Sequence, residues 1–271
     1  MINWRVTLRL LAFPIIWMAS VQLIFAALSL FVFKDRVVTS FIAPGASLFF
    51  IALLLLINLR KANLAKANFR DALIYATITW AVIGILGAIP IILVTDVSIV
   101  DGIFESISGL TTTGATILSD LDGMPPTFLL YRQFLQWMGG LGIVIFVVAI
   151  LPMLNVGGMK LLKAETPGPI KDEKLTPRVA STAHYLWGVY LTITLLCTLA
   201  YYVGGMSFYD AIAHAFTTVS TGGFSTHDAS MWYYQSHLLL WISNLFMIAG
   251  AVNFGLHFRV AHKRSIRGYY D

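Results

Sequence analysis

Long uncharged, mostly apolar stretches alternate along the chain with short segments that carry its charges. A helix needs about 20 apolar residues to cross a bilayer, and six of these stretches are 19 to 28 residues long. Apolar and polar residues do not alternate at a period of two, as they do in the strands of a membrane β-barrel. The pattern predicts an all-α integral membrane protein with six transmembrane helices, at Leu10–Phe33, Phe41–Leu59, Ala72–Thr95, Phe134–Leu154, Val179–Met206 and Leu238–Leu256.

Two further apolar runs are too short to cross. Val100–Leu110 lies between the third and fourth predicted helices, and Phe208–Val219 lies between the fifth and sixth. A helix of this length extends roughly 17 Å, which is about half of the ~30 Å hydrocarbon core. Both runs are therefore predicted to be half-helices that either re-enter the membrane or lie at its interface.

Each half-helix ends in a triplet of two hydroxyl residues and a glycine. The triplets are Thr112-Thr113-Gly114 and Ser220-Thr221-Gly222, and their glycines are 108 positions apart. The order of span, half-span, hydroxyl-glycine turn and span therefore occurs twice. This order predicts two membrane–pore-loop–membrane repeats, and it makes ion conduction the leading functional hypothesis.

The composition agrees with a chain whose main solvent is lipid. It is 58% hydrophobic and 11% charged, whereas a soluble domain has about 25% charged residues. The single cysteine, Cys197, lies inside an apolar run and is expected to be a small buried residue. The net charge of +5 follows the predicted topology and no nucleic-acid-binding motif accompanies it, so no nucleic-acid partner is predicted.

The charges also predict an orientation. One side of the predicted membrane carries 15 of the 18 basic residues, and the positive-inside rule makes that side cytoplasmic, together with both termini. The other side carries Lys34, Arg36 and Arg132 against eight acidic residues, a balance of −5. An acidic external face concentrates cations at a pore mouth, although the same acids are also typical of ordinary solvated loops.

The two turns have the chemistry that a monovalent cation needs. Backbone carbonyls and hydroxyl oxygens replace the hydration shell of the ion, and glycine permits the backbone angles that direct the carbonyls. The C-terminal end of each half-helix adds about −0.5 elementary charge. The predicted filter residues are Thr112, Thr113, Gly114, Ser220, Thr221 and Gly222.

Other polar and small residues near the turns have simpler explanations. Asp101 and Asp210 lie near the N-termini of the half-helices, where an acid caps or stabilises the helix dipole. Glu105 is expected to bond nearby backbone, and His214 is expected to be a packed, hydrogen-bonded histidine. The glycine cluster Gly139-Gly140-Leu141-Gly142 is predicted to allow close helix packing rather than to bind a nucleotide.

Four segments resemble the pore subunit of the Trk-type bacterial potassium uptake system: FESISGLTTTGAT, YRQFLQWMGGLGIVIFVVAILPML, KAETPGPIKDEKLTPR and STGGFSTHDAS. The resemblance implies two leading helices followed by pore-loop units around a central path. It divides the chain into a leading helix pair at 1–69, a first unit at 70–159, a cytoplasmic connection at 160–175 and a second unit at 176–271.

The resemblance also implies a function. Potassium would be the transported ion, and the six triplet residues would supply filter oxygens. The protein would lie in the bacterial inner membrane as a homodimer, with a cytoplasmic nucleotide-binding regulatory subunit. Coupling to a proton or sodium symport stays open.

The family has four pore-loop units, and two filter strands cannot surround an ion. We expect the chain to be the N-terminal half of a longer or split protein, which is favoured over a 2 × 2 assembly with a second copy. An alternative is a non-conducting membrane scaffold that needs a C-terminal half. A broken-helix secondary transporter is less favoured, because the two repeats share one topology. A membrane enzyme is not expected, because the sequence has no nucleophile–base pair and no Walker motif.

Overall fold

The fold was analysed in a computed structural model, which describes residues 4–62, 69–142, 179–252, 256, 257 and 260. Every regular element in these ranges is helical, as predicted. The α-helices are α1 (Trp4–Leu28, continued by a π-helical turn at Ser29–Phe33), α2 (Val38–Asn58), α3 (Phe69–Thr95), α4 (Ile99–Leu110), α5 (Pro126–Gly140), α6 (Val179–Val203), α7 (Phe208–Val219) and α8 (His237–Ala251).

Within the described ranges, four helices are long and apolar enough to cross a membrane: Trp4–Phe33, Val38–Asn58, Ile74–Thr95 and Leu186–Val203. They correspond to the first, second, third and fifth predicted spans. The other two predicted spans, Phe134–Leu154 and Leu238–Leu256, extend outside the described residues. Helices α5 and α8 are the described parts of these spans, with 15 residues each.

Helices α1, α2, α3 and α5 begin earlier than predicted, and α1 and α5 differ most because their predicted spans began only after a charge. Helix α1 begins at Trp4 and includes Arg9, whose Nη1 donates to the carbonyls of Arg60 and Ala62 just beyond α2 (3.0 and 2.7 Å). Helix α5 begins at Pro126, and proline is favoured in a first turn because it has no N–H to satisfy. Arg132, which was counted among the charges of the external side, is buried within α5, and the side on which it lies stays a prediction.

The chain packs as two compact units, which divide between Ile107 and Ser108, between Leu141 and Gly142, and between Ala183 and His184. In the first unit, α1 packs against both α2 and α3. The rings of Phe25 and Phe41 stack across α1 and α2, with centroids 6.0 Å apart, and Gln22 Nε2 donates to Leu86 O in α3 (3.0 Å).

In the second unit, α5 and α8 both pack against the short helix α7. Trp137 of α5 stacks on Tyr190 of α6 and lies against Phe216 of α7, with centroids 5.5 and 5.2 Å away. Its indole N–H donates to Thr194 (3.0 Å), and its carbonyl accepts from the Tyr190 hydroxyl (2.9 Å). The two compact units therefore group the helices differently from the predicted pore-loop repeats. The boundaries of those repeats stay a prediction.

Candidate ion-binding site

The two half-helices have the same length and the same N-terminal cap. Helices α4 and α7 are 12 residues each, or roughly 18 Å long. At the start of α4, the Asp101 amide donates to Ser98 Oγ, which donates back to the Asp101 carboxylate (3.2 and 2.7 Å). Ser207 and Asp210 make the same pair in α7 (3.1 and 2.8 Å). The predicted position of the two acids in the first helical turns is confirmed, but the capping residue of each helix is the serine and not the acid.

Each half-helix ends in a sharp bend at a threonine with positive φ. Thr112 has φ 55° and Thr221 has φ 57°, values that L-residues rarely adopt. The next amide in each bend donates back to a helix carbonyl, from Thr113 to Ser108 O (3.0 Å) and from Gly222 to Thr217 O (2.8 Å). The backbone geometry of the first bend is thus reproduced in the second.

This geometry sets the register of the internal repeat. Equivalent caps, helix ends and positive-φ threonines are all 109 positions apart, whereas the similar triplets are 108 apart. The structural counterpart of Gly114 (φ 75°) is therefore Gly223 (φ 89°), and Gly222 is the counterpart of Thr113. A match of residue types alone aligns the two bends one position out of register.

The two bends touch each other at glycines. A Cβ atom placed on Gly114 would overlap the carbonyl oxygen of Gly222, well inside the 3.0 Å limit of real Cβ contacts. The structure thus brings one residue of the first predicted triplet directly against one residue of the second. Of the other predicted site residues, Thr113 bonds the Thr111 hydroxyl (2.8 Å) and Ser220 donates its hydroxyl back to Thr217 O (3.2 Å).

Behind the second bend lies Gln136 of α5, which is fully buried. Its Oε1 accepts from the Thr217 hydroxyl (2.6 Å) and from the Phe224 amide (3.1 Å). Since the Phe224 N–H can only donate, these bonds also fix the orientation of the side-chain amide. A Cβ on Gly222 would lie 2.6 Å from Gln136 Oε1 and 2.7 Å from Nε2, so Gly222 is in close contact with both Gln136 and Gly114.

The first bend is closed by different contacts. The Ser108 hydroxyl donates directly to Ala115 O across the bend (2.5 Å). Arg132 of α5 donates to Thr116 Oγ1 (3.0 Å), and its guanidinium lies 4.4 Å from the centroid of the Phe224 ring. Arg132 therefore links the segments that follow both bends.

The loops beyond the bends are joined by a carboxylate. Asp122 accepts from His227 Nδ1 (2.5 Å) and from the backbone amide of Asp228 (3.3 Å). The bond from His227, followed by the bond from Asp228, holds the pKa of Asp122 below its ordinary value of 3.8. His227 stacks on Tyr233, with ring centroids 3.6 Å apart, and its Nε2 lies 3.5 Å from the Asp210 carboxylate.

Several secondary predictions can be compared with the structure. His214 is buried, and its two ring nitrogens bond Asp210 O and Ser225 Oγ (2.9 and 3.1 Å), so a packed, satisfied histidine is confirmed. Cys197 is buried, as predicted. Close packing at Gly139 is confirmed, because a Cβ there would overlap Leu110 O. Glu105 is buried in α4, and its bond to nearby backbone stays a prediction.

Sequence reasoning missed Ser98, Ser207, Arg132 and Gln136 as supports of the site. The serines had a usable signal, because Ser-x-x-Asp before an apolar run is typical of a capped helix start. Arg132 and Gln136 are four residues apart and therefore lie on one face of α5, and both are buried. Gln136 has a partner 88 positions away in sequence, and Arg132 contacts the ring of the same residue, Phe224, so the sequence alone could not name them.

The chain is similar to proteins of potassium uptake. A family model described as TrkH, cation transport protein, matches residues 39–271. The Trk system potassium uptake protein TrkH of Vibrio parahaemolyticus is 49% identical over 191 residues, which are 70% of this chain and 39% of that protein. TrkG of Escherichia coli K12, also a Trk system potassium uptake protein, is 36% identical over 249 residues, 91% of this chain and 50% of that protein.

The fold is similar to a solved structure as well. The crystal structure of the potassium transporter TrkH from Vibrio parahaemolyticus superposes with a TM-score of 0.83 at 35% identity, covering 99% of this chain and 55% of that chain. The chain therefore spans about half the length of the relatives that it matches.

Proposed function

The chain belongs to the TrkH family of cation transport proteins, and from this premise we propose that it forms part of a potassium-conducting pore. In this proposal α4 and α7 are the half-helices of two pore-loop repeats, and the bends after them are two strands of a selectivity filter. The observation that carries the proposal is the direct approach of Gly114 to Gly222 O, because strands that line one narrow path must lie against each other.

The direction of the carbonyls supports ion coordination. A trans peptide directs its N–H and C=O to opposite sides. The amides of Thr113 and Gly222 point back into their half-helices, so the carbonyls of Thr112 and Thr221 point away from the helix ends. These oxygens, together with the partial negative charge at each helix C-terminus, suit a monovalent cation that has lost its water.

The remaining features of the proposal follow from the family. The ion is potassium, which the relatives are named for, and the filter residues are Thr112, Thr113, Gly114, Ser220, Thr221 and Gly222, with Gly223 added by the register. The chain works in the inner membrane with both termini in the cytoplasm. It works with a C-terminal half or a second copy, within a homodimer that a nucleotide-binding subunit regulates.

The test measures potassium uptake in cells that lack other potassium uptake systems. We expect the transport-competent protein that contains residues 1–271 to restore growth at low potassium, and Gly222→Asp to abolish it while Gly123→Asp retains it. Gly123 is the matched control because nothing lies within 4 Å of a Cβ there. Unchanged growth with Gly222→Asp would contradict the proposed filter.

The alternative is a chain that inserts but does not conduct without a further half. Electrophysiology on the purified chain in planar bilayers separates the two. Potassium current from the chain alone would exclude the alternative, whereas current only after addition of a C-terminal half would establish it.

A further inference from the structure

We propose that Gln136 is a positioning residue that holds the second bend in its ion-coordinating shape. The inference rests on the proposed function, because it assigns a support to the same site. Gln136 belongs to the first repeat and its partners, Thr217 and Phe224, belong to the second, so the support passes from one repeat to the next.

The first step is a comparison with the bend that does not need such a residue. In the first repeat, the Ser108 hydroxyl reaches Ala115 O directly (2.5 Å) and closes the bend on itself. At the register of 109, Thr217 corresponds to Ser108 and Phe224 corresponds to Ala115. In the second repeat this pair is bridged through Gln136 Oε1, which accepts from the Thr217 hydroxyl and the Phe224 amide. The side-chain amide of Gln136 thus takes the place of the direct hydrogen bond that closes the first bend.

The second step is steric. The side-chain amide of Gln136 lies so close to Gly222 that a Cβ there would come within 2.6 Å of its oxygen. The Gly222 carbonyl lies against Gly114 as well. Gly222 therefore cannot move toward Gln136 while that side chain is present, and it cannot move toward Gly114 without displacing the first bend. This enclosure sets the separation of the two bends.

The third step is the chemistry of the side chain. Within the described residues, Gln136 Nε2 has no hydrogen-bond partner, and it lies 3.7 Å from the Cβ position of Gly114. Oε1 alone therefore carries the two bonds, and the test should remove that acceptor with little change of volume. Methionine is an unbranched side chain of similar length that lacks the amide acceptor.

The experiment compares Gln136→Met with wild type in the transport-competent protein that contains residues 1–271. Initial uptake of rubidium and of sodium gives a KM and a maximal rate for each ion. We expect the preference for rubidium over sodium to fall about tenfold in Gln136→Met, equivalent to about 1.4 kcal/mol. Thr217→Val removes one partner of the same oxygen, and its effect should not add to that of Gln136→Met in the double variant.

The matched control is Gln22→Met. Gln22 is also fully buried and also bonds backbone, at Leu86 O (3.0 Å), but it lies in the first compact unit. We expect Gln22→Met to lower at most the maximal rate, with an unchanged ion preference. If Gln136→Met also changes only the maximal rate, or if its effect adds fully to that of Thr217→Val, the inference is wrong.

A different result would overturn the proposed function itself. Gly114→Ala acts on the bends themselves, so an unchanged ion preference in Gly114→Ala would overturn the filter. A changed preference in Gly114→Ala together with an unchanged one in Gln136→Met would overturn only the role of Gln136.

Discussion

Gly114→Ala is the sharpest test of the contact between the two bends, because it introduces two separate costs at one position. The new Cβ would overlap Gly222 O, so the bends would have to separate by roughly 1 Å, and overpacking of this kind costs about 1–3 kcal/mol. The backbone at Gly114 has φ 75°, which costs an L-residue about 1–2 kcal/mol more. The sum, about 2–5 kcal/mol, exceeds the 1.4 kcal/mol that corresponds to a factor of ten.

Two other glycines serve as controls that distinguish the cost of backbone strain from the cost of steric overlap. Gly205 has φ 105° and nothing within 4 Å of a Cβ, so Gly205→Ala carries the backbone strain alone, at the end of α6. Gly123 also has open space around a Cβ and is not among the residues with positive φ, so Gly123→Ala carries neither cost although it follows the first bend.

The assay is uptake of rubidium and sodium at several concentrations, with the amount of inserted protein measured in the same cells. We expect at least a tenfold loss of rubidium uptake per molecule in Gly114→Ala, a lower protein amount but normal uptake per molecule in Gly205→Ala, and no change in Gly123→Ala. Uptake per molecule within twofold of wild type in Gly114→Ala would refute the reasoning, because the bends could then separate without consequence.

Three further predictions concern the supports of the site. Ser207→Ala removes the cap of α7, and we expect a stability loss of about 1 kcal/mol by thermal melting of the purified protein; a shift no larger than that of Ser47→Ala, whose hydroxyl bonds a carbonyl of its own helix, would contradict it. Gly250→Leu places a side chain against Val219 O and should reduce the folded fraction in size-exclusion chromatography, unlike Gly188→Leu, where the space is open. Hydrogen bonds lower the pKa of Asp122 in the folded state below its ordinary value of 3.8. The stability that this carboxylate contributes is therefore complete above pH 3.8 and is lost as the pH falls through the lower pKa of the folded state. Melting curves of Asp122→Asn at several pH values should lack this acid-dependent loss, and a pH profile identical to that of wild type would contradict the prediction.

The elements that local pattern determines were predicted well from sequence. The second half-helix has the predicted bounds, Phe208–Val219, and the first begins at Ile99, one residue before the predicted start. Both are short apolar runs bounded by a capping serine and a hydroxyl-glycine turn, so their ends depend on neighbouring residues. The helices that begin near charges were predicted less well, because Arg9 and Arg132 lie inside helices and find distant partners.

The support of the site could not be predicted, because it depends on contacts between distant segments. Gln136 is one of several buried polar residues in α5, and nothing near it in the sequence indicates that its partners are 81 and 88 positions away. The register error has a similar origin. Two similar triplets suggest a repeat of 108, but positive φ at Thr112 and Thr221 is a backbone property that residue identity does not reveal.

An alignment of the helices that follow the bends, which is offset by two positions from the register of the bends, shows that the two repeats are not interchangeable. Gly139 and Gly250 each pack against the end of the half-helix of their own repeat, and aligning them places Met247 of α8 at the position of Gln136. A thioether is only a weak acceptor, so α8 does not offer the bridge that α5 offers. The first bend does not require that bridge either, because Ser108 closes it directly. In a ring of two copies, α8 of one copy would face the first bend of the other, where the bridge that α8 lacks is not needed. The contacts at the bends are therefore compatible with either assembly, and the preference for a C-terminal half over a second copy stays a prediction.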